Sequence, residues 1–226
     1  KKEAWQERVR KSNAETTLIP YLKSRGVDHL DQLVLTHTDT DHMGDMLELA
    51  KHFSIREIYV SKGSMTQVDF VDKLKKMKAK VHVVEVGDRL PIFDLALEVL
   101  YPLGQGDGGN DDSIVLYGEF FRTKFLFTGD LEAPGEGQMV TAYPDLRVDV
   151  LKAGHHGSKG SSSPEFLEHI KPKLALISAG KNNRYQHPHK ETLDRFEKIQ
   201  TKIFRTDEQG AIRFKGWNSW QIETVR

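Results

Sequence analysis

Residues 36–45, THTDTDHMGD, place two histidines and three aspartates directly after the apolar run LDQLVL. Burying titratable groups without partners costs free energy, so such a cluster indicates a cation, a bound ligand or a salt-bridge network. Alternate residues of an extended turn point the same way, so His37, Asp39 and Asp41 can converge while His42 enters from the next position. Imidazole nitrogens and carboxylate oxygens are ligands of Zn²⁺ and Mn²⁺, and their number here suffices for a two-metal site.

Three further segments place ligand-type side chains after strand-like runs. These are Asp130 in FLFTGDLE, His155 and His156 in LKAGHHGSKGSSS, and His187 in RYQHPH. Taken alone, an aspartate after a strand is more often a helix cap or a turn former, and a lone histidine is usually a surface or core residue. Together the segments favour a metal site, because chance would have to place most histidines at strand ends beside glycine and aspartate. The histidines outside these segments are interpreted as ordinary surface or core residues: His29, His52, His82 and His169.

The strands that must position these side chains are predicted from β-branched and aromatic runs bounded by glycine, aspartate or proline. They cover 30–36, 55–60, 80–86, 95–102, 113–120, 124–130, 148–154, 173–180, 202–207, 210–216 and 220–225. Apolar residues at three- and four-residue spacing predict helices at 14–26, 43–53, 66–78, 163–170 and 190–199. Because strands and helices alternate without a Pro/Ser-rich linker, we expect one α/β domain over residues 1–226.

Composition excludes several classes of function. The 226 residues carry 33 Lys+Arg and 33 Asp+Glu, so any polyanion binding must come from a local patch or from metal ions. There is no cysteine, which excludes thiolate zinc sites and cysteine nucleophiles. No stretch approaches the roughly 18 consecutive apolar residues of a membrane span, and the polar start KKEAWQERVRKSNAE lacks the apolar core of a signal peptide. We therefore expect a soluble chain without a membrane span of its own.

The ordered set of segments resembles the metallo-β-lactamase fold superfamily, whose signature is His-x-His-x-Asp-His after a strand, with further ligands after later strands. Here the signature reads HTDTDH, with Asp39 in place of the second histidine. That substitution, together with NDDSIVL, FTGDLE, LKAGHHGSKGSSS and HPH, is similar to the C-terminal domain of the ComEC family of bacterial DNA-uptake channel proteins. The resemblance implies an αββα sandwich of two mixed sheets flanked by helices, without the superfamily's first strands. It also implies a fragment of a larger membrane protein.

The resemblance assigns six candidate metal ligands, which are His37, Asp39, Asp41, His42, Asp130 and His187. It places the first two on one metal and the next two on the other, with Asp130 as the bridging carboxylate. His155 or His156 lies near the late ligand His187. Residues 110–113, NDDS, stand where the superfamily has a mid-chain histidine, so the ligand at that place remains open.

These residues predict a site for two divalent cations. The carboxylate of Asp39 makes the site harder, which favours Mn²⁺, although the general affinity order leaves Zn²⁺ as an alternative. Two cations about 3.5–4 Å apart would activate a water and neutralise charge on a phosphoryl oxygen, which suits a phosphodiester. Asp41 and Asp130 are predicted to orient the water, and His155 or His156 to assist proton transfer as a catalytic residue.

Phosphate binding is predicted for the segment around the histidine pair. Its glycines, hydroxyls and lysines make Ser158, Lys159 and Lys152 candidate substrate-binding residues. A Ser/Gly segment is also a common flexible turn, and without the neighbouring histidines that interpretation would be preferred.

The resulting hypothesis is a metal-dependent nuclease that acts during DNA uptake in natural transformation. It would degrade the DNA strand that is not imported. Its predicted partners are DNA, as a single strand or a duplex end, and the remainder of the membrane channel protein and the uptake machinery. The resemblance places it on the extracellular side of the bacterial plasma membrane. Two alternatives remain open: a hydrolase of a small phosphodiester or lactone, and a catalytically silent module that guides DNA.

Overall fold

The computed structural model describes residues 12–215 and 220–225. The strands of this part are β1 His29–Leu35, β2 Ser54–Ser61, β3 Lys80–Val84, β4 Arg89–Ile92, β5 Leu95–Tyr101, β6 Val115–Phe120, β7 Thr123–Phe127, β8 Val150–Lys152, β9 Leu174–Ile177, β10 Lys202–Arg205, β11 Ala211–Lys215 and β12 Gln221–Val225. The helices are α1 Ile19–Ser24, α2 Thr40–Met43, α3 Met46–His52, α4 Val68–Lys76, α5 Ala133–Ala142, α6 Pro164–Ile170, α7 Lys190–Lys198 and α8 Thr206–Gln209. A π-helical turn, Ala14–Leu18, precedes α1. Every predicted strand and helix corresponds to one of these elements.

The smaller sheet has the order β1-β2-β3, and its strands are parallel. The helices α3 and α4 cover one face, because their apolar positions recur with helical spacing. Leu35 and Ile58 from the sheet, Leu49 from α3, and Phe70 and Leu74 from α4 belong to one buried cluster. This core fixes the strand that leads into the HTDTDH segment.

The larger sheet has the order β10-β9-β8-β7-β6-β5-β4. The four strands β7 to β10 are parallel to their neighbours, and the pairs from β7 to β4 are antiparallel, so this sheet is mixed. A second buried cluster joins it to three helices through Met139 on α5, Phe166 and Ile170 on α6, and Phe196 on α7.

A third buried cluster lies between the two sheets. It combines Tyr59 and Val84 from the smaller sheet with Leu90, Val99 and Leu116 from the larger one. Helices therefore cover the outer face of each sheet, and the sheets pack against each other, which confirms the predicted αββα sandwich. The larger sheet is mixed, whereas the described strands of the smaller sheet are all parallel.

Four elements were not predicted from the sequence. Strand β4 forms a hairpin with β5, helix α5 follows Asp130, and the short helices α2 and α8 follow the ends of β1 and β10. The strands β11 and β12 pair antiparallel, with Phe214 opposite Ile222, and Trp220 packs edge-on against Phe125 of the larger sheet. Among the residues described, no helix is long and apolar enough to cross a membrane.

Candidate metal centre

The predicted ligands lie where strands of both sheets end. His37 follows the carboxyl end of β1 in the smaller sheet, whereas Asp130 follows β7 and His155 follows β8 in the larger one. Since β7, β8 and β9 are parallel neighbours, their carboxyl ends meet at one edge. His187 lies in the long connection after β9. The structure therefore brings the four separated segments to one edge of the sandwich.

Four of the side chains form a cluster that suits a metal ion. Asp41, His42, Asp130 and His156 each offer one ligand atom, and these atoms all lie within 4.8 Å of one another. His42 Nε2 is 3.1 Å from Asp130 Oδ2 and 3.2 Å from His156 Nε2. Two imidazole nitrogens and two carboxylate oxygens at these distances match the ligand types of a Zn²⁺ or Mn²⁺ site.

His37 lies beside this cluster and is fully buried. Its ring centroid is 4.2 Å from that of His42, and its Nε2 is 4.0 Å from Asp39 Oδ2. Its Nδ1 lies 3.0 Å from Thr36 Oγ1 and 3.2 Å from Ser113 Oγ. Both hydroxyls can accept from Nδ1–H, an arrangement that orients the ring and leaves the lone pair of Nε2 available for a cation.

Unpartnered atoms mark the same place. Buried polar atoms almost always have a hydrogen-bond partner. Seven buried side-chain atoms of the described residues have none, and three of them are His37 Nε2, Asn110 Oδ1 and Asp130 Oδ1. All three carry lone pairs that a cation accepts. The ligand types and the unpartnered lone pairs of these residues therefore fit a metal centre.

The protonation states also suit metal binding, because a ligand must present a free lone pair. Burial, together with the neighbouring His42, lowers the pKa of His37 to about 4, and burial with the neighbouring histidines lowers that of His187 to about 4. Burial alone would raise the pKa of Asp130, but the hydrogen bond from His42 and the adjacent imidazoles hold it below its usual range. His37 and His187 are therefore neutral and Asp130 is ionised at neutral pH.

The two candidate histidines of the HHG segment face the site in different ways. His156 directs Nε2 to within 3.5 Å of Asp41 and its Nδ1 lies 2.8 Å from the carbonyl of Ser178. His155 directs Nε2 to 3.7 Å from Asp130 and places Nδ1 2.9 Å from Glu132 Oε1. Only His156 belongs to the four-residue cluster. The ring centroid of His187 is 5.5 Å from that of His155 and 6.4 Å from that of His156.

We name residues 37–42 the aspartate loop and residues 154–163 the histidine loop. In the histidine loop His155 and His156 both adopt positive φ, at 44° and 53°, a region that costs a residue with a side chain roughly 1–3 kcal/mol. Gly157 follows at φ 83°, and a Cβ there would lie 2.6 Å from Pro188 Cβ. Only glycine therefore lets this loop pack against the segment that carries His187.

Polar side chains of two helices hold the histidine loop in that shape. The carboxylate of Glu136, on α5, accepts from the backbone N–H of Ser162 at 2.6 Å and of Ser163 at 2.8 Å. From α7, Arg195 donates to the carbonyls of Lys159 and Ser161 at 3.0 and 2.9 Å. These hydrogen bonds hold the backbone of the loop in place, and such support allows residues with strained φ angles to persist in a folded chain.

The three predicted substrate-binding residues differ in access. The hydroxyl of Ser158 is buried and accepts from the N–H of Gly160 at 3.2 Å, so it shapes the loop. Lys152 is partly buried, and its ammonium donates to the carbonyl of Ala153 at 2.8 Å. Burial lowers the pKa of Lys152. Lys159 alone of the three is exposed.

Residues 110–113 divide their roles. Asn110 faces the site, with Nδ2 3.5 Å from His155 Nδ1 and 3.4 Å from Glu132 Oε1. Ser113 contacts His37, and Asp112 turns away and accepts from Ser61 at 2.5 Å. Sequence reasoning missed Glu132 because a glutamate in a loop carries no spacing signal, although the acidic pair in GDLE marks the place.

Comparisons with known proteins agree with this geometry. The family model described as the metallo-beta-lactamase superfamily matches residues 4–181. The chain is 38% identical over 218 residues to ComE operon protein 3 of Bacillus subtilis, covering 94% of this chain and 28% of that protein. It is 34% identical over 203 residues to the competence protein ComA of Neisseria gonorrhoeae, covering 89% of this chain and 27% of that protein. The chain thus spans about a quarter of the length of these curated relatives.

Among solved structures, the metallo-beta-lactamase fold protein YhfI from Bacillus subtilis superposes with a TM-score of 0.56 at 12% identity, covering 87% of this chain and 81% of that one. At this identity the likeness concerns the fold.

Proposed function

Because the chain belongs to the metallo-β-lactamase superfamily, we propose that it is a metal-dependent nuclease that hydrolyses phosphodiester bonds of DNA. The observation that carries the proposal is the set of buried lone pairs without partners beside a four-residue cluster of imidazoles and carboxylates. The carboxylates and the free imidazole nitrogens of this cluster are suited to bind cations. Cations bound at this edge of the sandwich would attract the negative charge of a phosphodiester.

We assign one cation to Asp41, His42, Asp130 and His156, whose ligand atoms already lie together. His37 and Asp39 would hold a second cation, with Asp130 and Asn110 as further donors. His155 and His187 complete this side. We propose Mn²⁺ for both positions, since four of these donors are oxygens. Bound divalent cations supply Lewis acidity, which lowers the pKa of water and neutralises charge on the phosphoryl group.

The chain's own residues orient the reactants. Asp130 is 2% exposed and ionised, so its carboxylate can accept a hydrogen bond from the attacking water and orient it. His155 is oriented by Glu132 through Nδ1, which leaves the lone pair of Nε2 to face the site as a donor to the second cation. Lys159 lies on the exposed side of the histidine loop, where its ammonium attracts the phosphates of the DNA backbone.

We further propose that the domain acts in DNA uptake, as part of a longer protein on the outer side of the plasma membrane. The support is the similarity to a protein named as a competence protein and the quarter of the relatives' length that the chain spans. The remainder of that protein would deliver the DNA, which suits a domain without net charge.

The test uses the purified chain, end-labelled single-stranded and duplex DNA, and elemental analysis of bound metal. With Mn²⁺ we expect digestion by the wild type, loss of cleavage with only a modest loss of binding in Asp41→Ala, and wild-type cleavage in the control Asp31→Ala, an exposed aspartate on β1. A metal-loaded wild type that leaves DNA intact would falsify the nuclease. Activity on small phosphodiesters or lactones without DNA cleavage would favour a small-molecule hydrolase, and DNA binding without any hydrolysis would favour a guiding module.

A further inference from the structure

A polar groove of about 630 Å³ opens beside the candidate metal centre. Its volume lies in the range of small-molecule sites, which is roughly 300–1,000 Å³. Its lining includes Asp39, Thr40 and Asp41 of the aspartate loop together with Arg184 and Tyr185. A phosphodiester held at the metal centre would therefore have its neighbouring nucleotide inside this groove.

Tyr185 forms an aromatic stack in the lining of this groove. The ring of Tyr185 lies parallel to that of His187, with centroids 5.7 Å apart and planes 22° apart. The guanidinium of Arg184 lies 4.5 Å from the Tyr185 centroid and donates to the tyrosine hydroxyl. Although it takes part in these contacts, Tyr185 is 53% exposed. About half of the Tyr185 side chain is therefore accessible to a ligand that enters the groove.

We propose that Tyr185 is a stacking platform for an unpaired base next to the scissile phosphodiester, and that Arg184 moves from the ring to a neighbouring phosphate. An exposed cation–π contact is weaker than the stacking of a base on an aromatic ring, so a base can replace the guanidinium on the ring. The released guanidinium is suited to bidentate phosphate binding. Because both faces of a base inside a duplex are covered by its neighbours, the platform selects single-stranded DNA. This inference rests on the proposed nuclease function and adds its substrate class.

The decisive experiment is a cycle that removes the ring, the base, or both. Cleavage of a single-stranded oligonucleotide with Mn²⁺ is compared with cleavage of oligonucleotides that carry one abasic position, moved stepwise along the strand near the cut. We expect Tyr185→Ala to lower kcat/KM on the intact strand by roughly 5- to 150-fold. Tyr185→Phe, which keeps the ring face, should remain near the wild type. At one abasic position the wild type should fall to the level of Tyr185→Ala, and the substitution should have no further effect.

Two controls separate stacking from damage to the site. Metal content must be unchanged in Tyr185→Ala, since the ring also contacts His187. Tyr21→Ala removes a tyrosine of similar exposure, 49%, on α1 outside the groove, and should leave kcat/KM unchanged. Blunt duplex DNA should be cleaved more slowly than single strands, with a smaller effect of Tyr185→Ala.

The outcomes distinguish this inference from the function on which it rests. A wild type that digests no DNA refutes the nuclease itself. A wild type that digests DNA, with Tyr185→Ala equal to wild type or equally impaired on intact and abasic strands, refutes only the platform. Equal losses in Tyr185→Phe and Tyr185→Ala assign the effect to the hydroxyl, and this result also overturns the proposal.

Discussion

The aspartate loop and the histidine loop face each other across the metal centre, yet they are built in opposite ways. The side chains of Asp39 and Asp41 are 54% and 53% exposed, and Asp39, although at the N-cap of α2, makes no side-chain cap hydrogen bond. The histidine loop is held through its backbone by Glu136 and Arg195 while its histidines are strained. The histidines are thus positioned before any cation binds, whereas the aspartates retain freedom that a cation would remove.

The largest effect is expected where the two loops meet, at Asp130. Asp130→Asn keeps the volume but removes the charge that both cations would share, so metal content should fall and kcat/KM should drop by about 10³-fold or more. Elemental analysis and a DNA digestion assay measure the two quantities. The control is Asp149→Asn, a carboxylate at the opposite end of β8 that pairs with Lys173, which should retain its metal. Normal metal content in Asp130→Asn would contradict the shared-ligand assignment.

The next largest effect is expected from Glu136, whose substitution should destabilise the histidine loop and leave the aspartate loop unchanged. Glu136→Ala leaves the N–H groups of Ser162 and Ser163 without their acceptor, which should lower the free energy of unfolding by about 2–4 kcal/mol. Urea unfolding followed by circular dichroism measures the change. Glu165→Ala, an exposed glutamate in the first turn of α6, should change stability by less than about 0.5 kcal/mol. Equal stability of the two variants would show that the histidine loop does not depend on Glu136.

A smaller effect, confined to His155 of the histidine loop, is expected when Glu132 is substituted. Glu132→Gln weakens the contact that orients His155, without touching His156. Removal of such an outer partner usually lowers metal affinity about 10–100-fold, and isothermal titration with Mn²⁺ measures it. Asp111→Asn, which alters the neighbouring contact to the Glu132 backbone N–H, serves as the control and should have a smaller effect. If Glu132→Gln binds Mn²⁺ like the wild type, His155 is not a ligand that Glu132 orients.

The buried carboxyl group of Glu136 should also make the free energy of unfolding depend on pH. Burial raises the pKa of Glu136 above its ordinary 4.5, so the folded chain binds this proton more tightly than the unfolded chain does. The stability that this contributes is complete below pH 4.5 and is lost as pH rises through the folded-state pKa. The free energy of unfolding of the wild type minus that of Glu136→Gln should therefore decrease with pH across this window. An increase would reverse the sign and contradict the assignment.

The smallest effect is expected from Lys159, the exposed member of the predicted phosphate-binding residues. Lys159→Ala should raise KM for DNA by about 2- to 3-fold at low salt and change kcat little, because a solvated surface charge contributes weakly. The effect should vanish at high salt. A fall in kcat that persists at high salt would instead place the ammonium in the chemical step.

The sequence predicted the ligand-bearing strands well because each is a short apolar run of aliphatic or aromatic residues that is followed by small or polar residues. His37, Asp130 and the histidine pair all follow such strands, and Ser163 caps α6 by accepting from Phe166 at 3.4 Å as expected. Helix α5, APGEGQMVTA, was missed because its two glycines disfavour a helix locally. Packing of Met139 in the core overrides that preference. The support from Glu136 was missed for the same reason, since it lies on that helix.

The contacts that distinguish His156 from His155 were also beyond sequence reasoning. Both are neighbours in the chain, and only the two successive left-handed residues turn one ring to Asp41 and the other to Glu132. Spacing alone cannot encode such a turn, because residues with side chains rarely adopt it.

The candidate donors come from sheets with separate hydrophobic cores, the aspartate loop from the smaller and Asp130 and the histidine loop from the larger. A cation would therefore join two halves that also contact each other through an apolar layer and through hydrogen bonds, such as Thr38 N–H to the carbonyl of Gly108 and Ser61 to Asp112. By mass action, a ligand at about 100 times its Kd stabilises the assembled state by about 2.7 kcal/mol. Metal supply would thus regulate how firmly the halves stay together as well as whether the chain is active.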